Sequence, residues 1–156
     1  MQTGDDEQLS PHFWLSELTV SNEGARRGLR NIPFSAQVAN LTRLSALLED
    51  VRRALRDQPI LVSSGFRSQA VNTLVGGAPH SSHMQGLAAD FTCPGFGGLR
   101  LICQRIVDAG IVFDQLILEG HWVHIALPLA GTAPRREQLT ARFQPIGGTQ
   151  YTAGIV

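Results

Sequence analysis

A chain of 156 residues, 43% of them hydrophobic, has the size of one globular domain and can bury a core without disulfide or metal staples. Its 13 basic side chains balance 13 acidic ones, which removes the electrostatic footprint of a nucleic-acid or anionic-membrane binder and favours a small neutral or zwitterionic substrate. No apolar run approaches the roughly 20 residues of a membrane-spanning helix; the acidic N-terminal run MQTGDDEQLS lacks the basic-then-apolar plan of an export signal.

In chain order, the residues around Leu15 and Leu18 read as one short helix or turn, followed by loop through Asn31, Ile32 and Pro33. From Ser35, a good N-cap residue, Val38, Leu41, Leu44, Leu48, Val51 and Leu55 recur at helical spacing, so a long helix is expected to end before Pro59. Residues 60–64 form a β-rich run that Gly65 breaks, and a second short helix over 69–74 stops at Gly76 and Gly77. After a polar loop at 78–82, residues 87–92 read as a strand with Ala88, Asp90 and Thr92 on one face. Residues 99–108 have helical spacing through Leu99, Ile102, Cys103 and Ile106, with Gly110 as the cap. Two strands over 113–119 and 122–127, joined tightly at Gly120 and His121, argue for an antiparallel hairpin. From Pro134 onward the composition suggests irregular chain, so residues 137–156 are expected to be a tail beyond a core at about 13–136. Helices precede a small sheet, which predicts a single α+β domain over 1–156 with helices packed on one face of a largely antiparallel sheet.

Three residues stand out for their chemistry. His83 sits in a loop ahead of the strand carrying Asp90, and His124 lies on the later strand with Trp122 and Ala126, opposite the aliphatic face of Val123, Ile125 and Leu127. Two imidazoles and a carboxylate suit a catalytic zinc ion, which keeps its fourth position open for water. By spacing alone, three ordinary hydrogen-bonded polar residues fit the pattern equally well. Cys93 and Cys103 lack the spacing of a zinc knuckle and read as buried structural residues.

The block S-x-H-x-x-G-x-A-x-D at 81–90, followed by W-x-H at 122–124, resembles the zinc D-Ala-D-Ala carboxypeptidase family. That family includes vancomycin-resistance D,D-peptidases and phage endolysins, and it shares its metal fold with the hedgehog signalling domain. The run S-G-F-R-S at 64–68 is similar to the segment that precedes the metal block there, and Asn72, Gly76, Gly77 and residues 113–117 extend the likeness over roughly 13–136.

The resemblance implies that His83, Asp90 and His124 bind Zn²⁺. In many relatives the general base is a Glu three residues before the last His ligand; here that position is His121, while Glu119 lies five residues before. Both stay open as the base, with Glu119 favoured because strict alternation puts His121 on the face opposite His124. Arg67 is the expected partner of a substrate carboxylate or of the oxyanion that forms during attack. Ser81 is expected to contact substrate or orient its loop, and Gln115 and Trp122 to line the cleft; His12 and His80 have no place in the family pattern. The implied activity is zinc-dependent hydrolysis of a peptide bond in the bacterial peptidoglycan stem peptide, at a D-amino acid. The alternative is a non-catalytic, zinc-stabilised module that binds peptidoglycan or protein. With no export signal read, a phage enzyme made in the cytoplasm and released to the wall is the expected setting.

Overall fold

The computed structural model describes residues 6–156; residues 1–5, the start of the run read as lacking an export signal, lie outside the described residues. Helices and strands are mixed and the sheets are open, the α+β class expected. No helix among the described residues is long and apolar enough to cross a membrane. The chain divides into two compact units: residues up to Glu49 with Val62–Ala89, and Asp50–Leu61 with Asp90–Val156.

The first unit opens on an antiparallel ribbon of β1 (Gln8–Ser10) and β2 (Phe13–Trp14). α1 (Asn22–Arg26) begins where Ser21 Oγ accepts the Gly24 amide at 3.1 Å. α2 (Ser35–Ala54) contributes its part up to Glu49, with Leu41, Leu44 and Leu48 buried; Phe13, Leu18, Phe66 and Val71 of the same unit are buried as well. Ser35 is not the cap. It lies inside the first turn, and Gln37 Oε1 reaches back to the Phe34 amide at 2.7 Å, which is half of a capping box.

β3 (Leu61–Ser64) neighbours β4 (Ala88–Thr92). Between them come α3 (Gln69–Leu74), capped by Ser68 Oγ on the Val71 amide at 3.2 Å, and a 3₁₀ turn at Ser82–Gln85. The loop before α2 is not loose. Asn31 Nδ2 donates to the carbonyls of Thr19 (2.7 Å) and Phe66 (2.9 Å), and Asn31 Oδ1 accepts the Ser68 amide (2.7 Å), so one side chain ties three segments.

In the second unit the strand order runs β4, β6 (Val123–Ala126), β5 (Gln115–Leu118), β7 (Glu137–Phe143), β8 (Thr149–Ala153). α4 (Leu99–Asp108) has the bounds its spacing predicts, packs on β5 and β6, buries Ile102, Cys103 and Ile106, and is followed by Gly110 at φ +71°. The β5/β6 hairpin pairs Leu116 with Ile125 and Leu118 with Val123 on one face, and Ile117 with His124 and Gln115 with Ala126 on the other. The β5/β7 pairing is parallel, whereas β5/β6 and β7/β8 are antiparallel.

The expected irregular tail over 137–156 is corrected here: it forms β7 and β8. Leu139, Ala141 and Phe143 alternate with Gln138, Thr140 and Arg142, a strand period that Pro134 and the Gly147–Gly148 pair masked. Those glycines, at φ +92° and +80°, lie in the connection between the two strands. Asp114 anchors the return of the chain to β7. Its carboxylate accepts from the Arg135 amide (2.9 Å), Nε (3.0 Å) and Nη2 (2.8 Å), and its carbonyl accepts the Glu137 amide (2.9 Å).

The hydrogen bonds from Arg135 hold the Asp114 carboxyl below the usual carboxylate range despite its burial. A group lowered in this way stabilises the fold above its unfolded pKa, and the contribution is lost as pH falls through the lowered value. Asp114→Asn is expected to cost about 1 kcal/mol, kept near surface values because the Arg135 side chain is 58% exposed. Thermal unfolding at pH 7 should show a Tm lower by about 2–4 °C, with the wild-type and variant curves converging in acid.

Candidate metal centre

In the first unit, Ser81 Oγ accepts the His83 amide at 3.2 Å and starts the 3₁₀ turn; Gly86, at φ +73°, closes it. A side chain at Gly86 would be strained by that φ and would also meet the Gln37 carbonyl, its Cβ standing 2.7 Å from that oxygen. α2 grips the same turn through Gln37 Nε2 to the Met84 carbonyl (3.0 Å) and Asn40 Nδ2 to the Gln85 carbonyl (2.8 Å). His83 is buried, with Nδ1 2.7 Å from the Gly65 carbonyl. A carbonyl only accepts, so Nδ1 carries the proton and Nε2 carries the lone pair a metal would take.

The S-G-F-R-S run thus does two things. Gly65 orients His83, and two residues on, Arg67 donates its amide to the His83 carbonyl at 3.0 Å. The half-buried Arg67 side chain is held by Nε to Ser64 Oγ (3.0 Å) and by Nη1 to Asn72 Oδ1 (3.3 Å). Asn72 is buried and donates Nδ2 to the Ala78 carbonyl at 2.9 Å. A Cβ at Gly77 would come within 2.0 Å of Asn72 Oδ1, so a glycine is needed there for Asn72 to hold Arg67.

In the second unit, Asp90 and His124 are buried and His124 Nδ1 lies 2.9 Å from Asp90 Oδ1. The β5/β6 turn is closed by the Glu119 amide on the Trp122 carbonyl (3.0 Å), with Gly120 at φ +86°. Continuing the register from Ile117 opposite His124, Glu119 shares the face of His124 and stands across from Trp122. His121 is exposed at the tip of the turn, and Trp122 is half-buried. Gln115 lies on the same face at the other end of β5, where its amide is engaged by Glu137 Oε1 at 2.7 Å.

One ligand atom from each of His83, Asp90 and His124 lies within 4.8 Å of the other two, and all three residues are buried. Two imidazole nitrogens and a carboxylate oxygen are ligands zinc accepts, and three protein ligands leave one tetrahedral position for water or substrate. With neutral imidazoles the set carries one negative charge, which is costly to bury and which a dication offsets. The donor set fits Zn²⁺.

His12 instead pairs its Nδ1 with Glu49 Oε2 at 2.9 Å, and His80 is exposed. Cys93 and Cys103 are buried and unbridged, and burial pushes the Cys103 thiol up to about 12. The Gly65 carbonyl, Asn72 and Gly77 support the site in ways the sequence reading did not assign. For the latter two, their place within the similar segment was the available signal.

The fold and site are those of an α+β protein with a zinc-type His-Asp-His centre. A model of the Peptidase M15 family matches residues 11–126, and the chain belongs to that family. It is also 38% identical over 125 residues to the zinc D-Ala-D-Ala carboxypeptidase of Streptomyces albus G, a match that covers 79% of this chain and 46% of the relative. The chain therefore spans about half the length of that protein. The motifs at 81–90 and 122–124 fall within the family match.

Replacing His83 or His124 by Ala should lower zinc retained after dialysis by roughly tenfold or more, measured by plasma mass spectrometry on protein whose circular dichroism is unchanged. Zinc ligands bind deprotonated, so acidification should release the ion from the wild type as well.

Proposed function

We propose that this chain is a zinc metallopeptidase in which His83, Asp90 and His124 hold the ion and Glu119 is the general base. The observation that carries the reading is the buried His-Asp-His group itself, with ligand atoms within 4.8 Å, in a chain of the Peptidase M15 family. Zinc in such a site lowers the pKa of a bound water toward about 7 and polarises a carbonyl as a Lewis acid.

The protein's own side chains supply the rest. Glu119, on the face of His124, takes one proton from the attacking water and returns it to the nitrogen of the leaving amine as the peptide bond breaks. Arg67, its guanidinium fixed by Ser64 and Asn72, binds a substrate carboxylate or the oxyanion of the tetrahedral adduct. Ser81 acts on the site by capping the turn that presents His83, and Trp122 forms a wall across from Glu119. Gln115 sits at the far end of this face.

The substrate we propose is the peptidoglycan stem peptide, cut at a D-amino acid. Support comes from the name of the Streptomyces albus G relative, and from a chain of balanced charge whose Arg67 guanidinium, fixed by Ser64, suits the carboxylate of a zwitterionic peptide end. Such an enzyme acts on the bacterial cell wall, and a phage lytic origin accords with it.

Purified cell walls incubated with the protein should release new amino groups, and a chelator should abolish the release. No zinc-dependent release overturns the peptidase reading in favour of a zinc-stabilised binding module. Glu119→Gln should lower kcat by about 10²–10⁴-fold, the range of general acid–base catalysis. His121→Ala should cost less than about tenfold, with zinc content retained in both; the reverse order would make His121 the base.

A further inference from the structure

Four residues form one row across the second unit's sheet. Trp122 faces Glu119 across the β5/β6 turn; one step beyond the Leu118–Thr140 pair, Glu119 lies beside Ala141 of β7; and Ala141 pairs with Tyr151 of β8. The pairings from His124 to Ile117, Ile117 to Leu139 and Leu139 to Ala153 put all four on the face that carries His124.

Neighbouring strands are about 4.8 Å apart, so the β5 and β8 backbones are separated by roughly twice that. Ala141 between them is small, which leaves the space over it to the side chains of Glu119 and Tyr151. The charge of Glu119 reaches far enough to help burial raise the Tyr151 phenol. Phe143 flanks the same spot: its ring lies where a Cβ on Gly120 would come within 2.8 Å of Cε2. Tyr151 and Phe143 are nonetheless 54% and 55% exposed. Two exposed aromatic side chains on the face that carries Glu119, one of them a phenol, resemble the adaptable amphipathic contacts that line binding surfaces. This hairpin lies wholly beyond residue 126, where the family match ends.

Resting on the peptidase reading above, we propose that Tyr151 is a specificity-determining residue, which with Phe143 extends the substrate-binding face beyond Glu119. Its ligand class is an extended peptide longer than the two residues around the cut. Binding energy from such remote contacts is realised in the transition state, so a short substrate forgoes it.

The test compares a stem pentapeptide with a D-Ala-D-Ala dipeptide. For Tyr151→Ala, the ratio of kcat/KM for pentapeptide over dipeptide should fall at least roughly fivefold, the scale of one good aromatic contact; Tyr151→Phe should retain the larger part of the ratio. Tyr151 is the chain's one tyrosine. In zinc-loaded Glu119→Gln protein carrying ring-labelled tyrosine, its resonances should therefore shift saturably with pentapeptide and little with dipeptide. Wild-type turnover of both substrates with an unchanged ratio in Tyr151→Ala, or an equal loss on both, overturns this inference and leaves the peptidase reading standing. No turnover by the wild type together with no ring shift overturns both.

Discussion

The 2.7 Å hydrogen bond from His83 Nδ1 to the Gly65 carbonyl is the constraint on which the placing of His83 in the first unit depends. It selects the tautomer, fixes the ring plane and leaves Nε2 as the donor to a metal. Gly65 can serve only because it is glycine: an added Cβ would stand 2.4 Å from the Leu18 carbonyl, the same carbonyl that accepts the Phe66 amide at 2.7 Å. Close approach of the 15–18 segment, the grip of α2 on the 3₁₀ turn and the Arg67 amide on the His83 carbonyl all converge on this peptide and its partner.

The second unit solves a different problem, which is to place side chains by register rather than by caps. Antiparallel pairing sets Ile117 against His124 and thereby sends Glu119 to the same face, while Leu116, Leu118, Val123 and Ile125 take the face opposite. A one-residue slip would exchange those faces, and burial of the aliphatic set works against it. Asp114 then fixes where β7 joins β5, so the position of the β7/β8 hairpin follows from one carboxylate and one guanidinium.

Features governed by local chemistry were legible in the sequence. α3 has the bounds read ahead of Gly76 and Gly77, α4 has those read from its apolar spacing and Gly110, and the alternation along residues 122–126 gave the face of His124 that the register shows. His83, Asp90 and His124, the group that could hold a metal, stood out through their motif. Backbone acceptors did not, because a carbonyl such as that of Gly65 leaves no mark of its own in the sequence. Asn31 looked like a loop residue although it joins three segments, since its partners are the distant Thr19, Phe66 and Ser68. β7 and β8 were hidden where turn-rich composition outweighed the alternation of Leu139, Ala141 and Phe143. With β7 unseen, the engagement of Gln115 by Glu137 was beyond reach.

The buried sulfurs bear on the metal in a way that burial alone does not convey. Thiolate, not thiol, competes for zinc and enters disulfide exchange. With the Cys103 thiol raised to about 12, its thiolate at neutral pH is of order one part in 10⁵, and Cys93 is shifted in the same direction by desolvation. Neither cysteine is thus a ready thiolate to draw the ion from imidazole and carboxylate. The same scarcity of thiolate slows disulfide exchange at both sulfurs, because exchange begins with thiolate attack.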